Sequence, residues 1–185
     1  CKVALITLAG RPRQNKFGFG GGAKPGQLSD GPPEAGFENI YGGSTHNTYG
    51  MCAMRHMYEY GTTSEQLAWI KVAASHHAQW NENAFLKDVV TVEQVVNSRL
   101  ISDPLHLLDI CLVTDGGGAV VMTTAEHAKA LGRKPVFVRG YGESHTHWTI
   151  AAMADLARLT AAEVAGRDAF AMAGIRHDAI DVVEV

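Results

Sequence analysis

An α/β fold around a mainly parallel sheet is predicted by three features: short apolar runs of buried-strand character, capped helical stretches between them, and a triple glycine entering the second run. The first run, Val3 to Ala9, is too short for an ordinary helix. It is apolar almost throughout and stops at Gly10-Arg11-Pro12, the composition of a strand covered on both faces. From Asn15 to Ser44 glycine and proline dominate, with Phe17, Phe19, Phe37 and Tyr41 scattered among them. No period survives there, and a loop of this length is functional or mobile.

Helical signals resume at Tyr49 to Tyr60, where Cys52, His56 and Tyr60 fall one turn apart and Gly61 supplies a left-handed stop. Thr62-Thr63 caps the next helix, with Glu65 and Gln66 in capping-box register and Leu67, Ile70, Ala74 and Ala78 on one face. A third box, Thr91-Val92-Glu93-Gln94, opens a short helix ending near Ser98. These helices make a compact cap between two strands. Beyond the glycines, Ala119 to Thr123 reads as a buried strand and Ala125 to Leu131 as a helix closed by Gly132. Val136 to Val138 reads as a strand, Thr160 to Ala173 as a helix ending at Gly174, and Ile180 to Val185 as a last strand. Strand and helix in alternation predict parallel pairing.

At 185 residues the chain suffices for one domain of ordinary size or parts of two. Hydrophobic residues make up 46% and charged ones 19%, a globular balance. A net charge of -3 leaves no basic excess for phosphate backbones, so nucleic acid is not a predicted partner. No window reaches the ~18 apolar residues that a membrane span needs, and no basic leader opens the chain. Cys1, Cys52 and Cys111 cannot all pair within one chain and show no Cys-x-x-Cys spacing, so they read as buried free thiols of a reducing cytoplasm.

The run Leu112-Val113-Thr114-Asp115-Gly116-Gly117-Gly118-Ala119-Val120-Val121-Met122 carries the most chemistry, because absent side chains let a backbone or a ligand approach closely. Asp115 either accepts the amides of its own turn or leaves those of Gly116 to Gly118 free for an anion or an acyl carbonyl. Gly20-Gly21-Gly22 lacks the Lys and Ser/Thr of a phosphate loop and reads as flexible. In Ser144-His145-Thr146-His147-Trp148 two imidazoles can share a face, but no third ligand lies near and no metal is assigned. His76-His77 reads as a solvated helix edge.

The glycine run resembles the turn that closes the cap region of thiolases. Tyr49-Gly50-Met51-Cys52-Ala53-Met54-Arg55-His56-Met57, Glu59-Tyr60-Gly61-Thr62-Thr63, Gln66-Leu67-Ala68, Gly174-Ile175 and Ile180-Asp181-Val182-Val183-Glu184-Val185 follow in the same order. Together they look most like the lipid-transfer, or sterol-carrier-protein-x, branch of that superfamily. The likeness covers nearly the whole chain and is weakest from Phe17 to Gly43.

The resemblance implies a thiolase-like layered α/β fold with an inserted helical cap. Residues 1–10 would end the N-terminal half, 11–110 form the cap, 111–132 return to that half, and 133–185 begin the C-terminal half. It implies an acyltransferase acting on acyl-coenzyme A, of acetyl-CoA acetyltransferase or 3-ketoacyl-CoA thiolase type. Coenzyme A is then a substrate, and no cofactor is permanently bound. A homodimer is implied too. Two alternatives stay open: a retro-aldolase cleaving a steroid or lipid side-chain acyl-CoA with an OB-fold partner, and a non-catalytic lipid-transfer module. The nucleophilic cysteine, the later histidine motif and the second cysteine would lie outside these residues, so the chain reads as an internal piece of a larger enzyme. Tyr49, Gly50 and Met51 would shape the acyl pocket or simply enter the helix. Cys111 would line the slot for the pantetheine arm or pack beneath the turn, with Asp115, Gly116 and Gly117 beside it. His145 would approach the acyl end.

Overall fold

The computed structural model describes residues 2–11, 45–132, 134–147 and 150–184. Cys1, the glycine- and proline-rich stretch with Gly20-Gly21-Gly22, Trp148 and Val185 lie outside the described residues. Two compact units emerge: the described residues within Cys1–Asn15, Thr114–Trp148 and Leu159–Val185, and those within Lys16–Val113 and Thr149–Arg158.

The second unit is the helical one. Its elements are α1 (Thr45–Tyr60), α2 (Ser64–Ala78), α3 (Val92–Val96), the short strands β2 (Leu100–Ser102) and β3 (Leu105–His106), and a 3-10 turn over Leu107–Asp109. Helix α2 starts where the sequence predicts. The Thr63 hydroxyl accepts the Gln66 N–H while the Gln66 side chain accepts the Thr63 N–H, and Thr91 and Gln94 repeat the device at α3. The core is Ala68, Val72 and Val95, all buried, with Val90, Val92, Val96 and Leu108 packed around them.

Two serines knit this layer. Ser75 is buried; its hydroxyl donates to Val72 O at 2.7 Å and accepts the Val90 N–H at 3.2 Å. Ser98 donates to Val95 O at 2.7 Å and accepts the Leu108 N–H at 3.3 Å. The predicted face of α2 needs correction, since Ile70 and Ala74 are exposed and the buried stripe is Ala68, Val72 and Ser75.

The first unit holds β1 (Val3–Gly10) and β4 (Gly116–Thr123), paired antiparallel from Val3↔Thr123 to Gly10↔Gly116. This pairing corrects the predicted parallel one. Two strands that adjoin across a long excursion run in opposite senses when the chain comes back to the point it left. The strand begins at Gly116, not Ala119, so the glycines belong to the ladder. The apolar residues of both strands are predicted to be buried; within this unit they are exposed, Leu8 of β1 at 82%.

Helix α4 (Ala125–Ala130) takes its N-cap from the Thr124 hydroxyl, which accepts the His127 N–H. Helix α5 (Thr160–Ala173) ends at Gly174, whose φ of 64° lets its N–H reach Phe170 O at 3.0 Å. Val136 to Val138 and Ile180 to Glu184 are not strands, contrary to prediction. A strand exists only through a ladder partner. The 134–147 stretch instead lies against α5: a Cβ on Gly142 would meet Ala165 O, and Arg139 Nη2 donates to Ala173 O at 3.1 Å. No helix among the described residues is long and apolar enough to cross a membrane.

Val95, fully buried at the centre of the helical unit, provides the sharpest check of this packing. Val95→Ala is expected to lower stability by about 2 kcal/mol, because the lost methyls leave a void that a capped helix cannot close over. Urea denaturation should show a lower midpoint at unchanged slope. A loss under about 0.5 kcal/mol would place the core elsewhere.

Candidate functional site

A groove runs along α2 in the helical unit. Leu67, Ile70, Lys71 and Ala74 form one side, and Leu105 with the 108–112 segment forms the other, enclosing about 390 Å³. That volume lies within the usual range for small-ligand sites. The lining is apolar except for Lys71, Asp109 and the Cys111 sulfur. Cys111 is exposed, not buried as the sequence predicts, and its Sγ lies 3.6 Å from Leu112 O. The predicted α2 face, misplaced as core, thus mostly lines this groove.

The 108–112 wall is held from behind. Leu107 N–H donates to Arg99 O at 2.8 Å, and His106 N–H to Asp109 Oδ2 at 2.8 Å. The His106 and Asp109 side chains are 19% and 10% exposed, and Nδ1 of His106 stands 3.6 Å from that same Oδ2. It is buried and has no hydrogen-bond partner. A buried donor or acceptor left bare costs about 1–3 kcal/mol, so this atom calls for a reason. Sequence reading missed the pair; its signal is a polar residue three positions after the histidine, in the register of a local backbone cap.

Tyr49, Gly50 and Met51 lie on α1, away from the groove lining. Gly50 is buried because a Cβ there would sit 3.0 Å from both Asp103 O and Ser102 Oγ, so a backbone contact with the β2–β3 turn accounts for it. Tyr49 and Met51 are exposed. Cys52, half-buried on the same helix, has its thiol pushed above the ordinary value by burial. Less thiolate is then present at neutral pH.

The remaining predicted residues belong to the other unit. Gly116 and Gly117 line an open cavity of about 740 Å³ with Ile6, Leu8, Thr114 and Val120. These glycines stand in the ladder and not in a free turn. A Cβ on Gly117 would lie 2.9 Å from Ala9 Cβ and 3.0 Å from Leu8 O, so close strand approach demands glycine. Asp115 is half-buried at the entrance to β4.

His145 Nε2 pairs with Glu143 Oε1 at 3.0 Å, both side chains exposed, and Thr146 Oγ1 meets His147 Nδ1 at 2.7 Å. These residues and the first turn of α5 surround about 420 Å³. His76 and His77 are exposed. Among the described residues no group of three or more His, Cys, Asp or Glu could hold a metal ion.

Residues 142–185 match the family described as "Thiolase C-terminal domain-like". An acetyl-CoA acetyltransferase of Methanothermobacter thermautotrophicus is 42% identical over 137 residues, 74% of this chain and 36% of that protein. Among solved structures, the "Ltp2-ChsH2(DUF35) aldolase" superposes with a TM-score of 0.82 at 27% identity, over 95% of this chain and 45% of that one. A monomeric SCP2-thiolase-like protein type 1 from Mycobacterium smegmatis shares the fold, with a TM-score of 0.72 at 20% identity over 97% of this chain and 37% of that one. The chain belongs to the thiolase superfamily. A sterol carrier protein 2 of Oryctolagus cuniculus is 28% identical over 159 residues, 80% of this chain and 28% of that protein. It spans about a third of the length of the curated relatives it matches.

Two outcomes follow from this geometry. Gly117→Val should unpair β1 from β4 and lower the melting temperature, so any binding loss in that variant tracks lost fold; an unshifted transition would refute the close-packing account. With a limiting alkylating agent at roughly pH 8, Cys111 should be labelled before Cys52, and Cys52 labelling should rise as pH climbs toward its raised pKa. Peptide mass spectrometry reads the order, and prior labelling of Cys52 would contradict it.

Proposed function

We infer that the chain is part of a thiolase-like enzyme acting on acyl-coenzyme A, of acetyl-CoA acetyltransferase type, and that it supplies the cap and acyl tunnel. The carrying observation is the groove between α2 and the 108–112 segment. It is a narrow apolar slot that holds one cation, one carboxylate and the small sulfur of Cys111. An extended thioester arm with spaced amides suits such a slot, since its methylenes lie on Leu67, Ile70 and Leu108 and its amides find polar partners. The similarity to an acetyl-CoA acetyltransferase supports the same reading.

In this reading Cys111 lines the pantetheine path and is not the nucleophile. Asp115, Gly116 and Gly117 shape the strand entrance of the other unit, Tyr49, Gly50 and Met51 belong to the cap, and His145 is assigned to the substrate pocket. No residue of this chain is assigned to bond making. Residues 11–110 serve as the cap, 1–10 and 111–132 as parts of the N-terminal half, and 133–185 as the start of the C-terminal half. The enzyme works as a homodimer in the cytoplasm, a setting that suits the free thiols of Cys52 and Cys111.

A second reading rests on one observation, the similarity to a solved aldolase complex. In it the same groove holds a steroid or lipid side-chain acyl-CoA for retro-aldol cleavage, with an OB-fold partner protein. Thiolysis of acetoacetyl-CoA against cleavage of a β-hydroxyacyl-CoA separates the two.

Coenzyme A added to the full encoded protein should slow alkylation of Cys111 about tenfold at saturation while leaving Cys52 unchanged, as occupancy of the slot excludes the reagent. Equal rates with and without coenzyme A at millimolar concentration would overturn the assignment of the groove.

A further inference from the structure

We propose that His106 is a positioning residue: its imidazole holds Asp109 as the polar anchor of the Cys111 groove, where Asp109 and Lys71 together receive an amide of the ligand. The identity of that ligand rests on the acyl-coenzyme A reading; the role of His106 does not.

Three observations converge. Lys71 and Asp109 are the charged residues lining an otherwise apolar groove. Asp109 Oδ2 already accepts the His106 N–H at 2.8 Å, which fixes the carboxylate against the wall. Nδ1 of His106 stands 3.6 Å from that oxygen, buried and without a partner, just beyond hydrogen-bond reach. A buried ring nitrogen so close to a carboxylate is poised to donate once the wall tightens, and contacts at binding sites are commonly long before the ligand arrives.

With Nδ1 carrying the proton, the neutral imidazole donates to Oδ2. That oxygen then takes two donors from one residue, the backbone N–H and the ring N–H, and the carboxylate cannot swing into solvent. Its remaining acceptor capacity is left for a donor entering the groove. A secondary amide satisfies both charged groups at once: its N–H donates to Asp109, and its carbonyl accepts from the Lys71 ammonium. An ester or a plain alkyl chain would leave the second carboxylate oxygen without a donor from the ligand, so the pair selects for amide-bearing chains.

The test compares three variants of the full encoded protein. His106→Asn keeps an N–H near the place of Nδ1, His106→Gln moves it toward the place of Nε2, and His106→Phe keeps the volume without a donor. The KM for acyl-coenzyme A is expected to stay within about twofold of the parent in H106N and to rise about tenfold in H106F and H106Q at unchanged kcat, the scale of one hydrogen bond to a charged group. Equal KM values in H106N and H106Q would overturn the proposal even if H106F fails to fold. Nitrogen-15 NMR of the imidazole gives a reading that needs no substrate. Nδ1 should be the protonated nitrogen in the parent and should shift in Asp109→Asn, whereas a bare Nδ1 with the proton on Nε2 overturns the role of His106. If the parent neither binds nor turns over acyl-coenzyme A, the acyl-CoA reading fails while the imidazole measurement still decides the positioning role.

Discussion

Ser98 makes a wall out of what would otherwise be a loose connection. Its hydroxyl donates to Val95 O as α3 ends and accepts the Leu108 N–H from the far side of the β2–β3 turn. Ser75 does the same between α2 and the chain entering α3, linking Val72 O to Val90 N. Each hydroxyl satisfies two backbone groups that the apolar layer of Ala68, Val72 and Val95 could not. The groove depends on this constraint, because its far side, Leu108 to Leu112, is fixed by these bonds, by those of Leu107 and His106, and by the packing of Leu108 on the core.

The β1–β4 ladder shows a different economy. Apolar residues stand on both of its faces, the composition of a strand at the centre of layered structure. Leu5, Leu8, Val120 and Val121 are nonetheless exposed within their unit. Such a surface is stable in water only when other layers lie on it. The ladder's own requirement is met internally: at Gly117 the strands approach so closely that a side chain has no room beside Leu8 O and Ala9.

Caps and stops were legible in the sequence because they are local. Thr63 with Gln66, Thr91 with Gln94 and Gly174 each decide their helix end through contacts within a few residues. The inner face of α2 was not legible. Leu67, Ile70 and Ala74 form one apolar stripe and Ala68, Val72 and Ser75 the next, both at helical spacing, and only the partners across the layer choose between them. Val136 to Val138 and Ile180 to Glu184 have strand composition, yet pairing is a property of two segments and cannot be read from one. At the site, Cys111 stood out through its place ahead of the glycine run, and it lines the groove. Tyr49 and Met51 were singled out on resemblance and do not line it, and His106 was passed over because its partner three residues away looks like ordinary turn chemistry.

The register Gly10↔Gly116 means that the chain departs from a strand and rejoins its neighbour one ladder spacing away. Between these two positions lie about a hundred residues of chain, and the entropy of closing such a loop grows only with the logarithm of its length. Lengthening or shortening the excursion therefore alters the cost of the ladder very little. The same scaffold can thus carry differently shaped binding surfaces without renegotiating its own assembly.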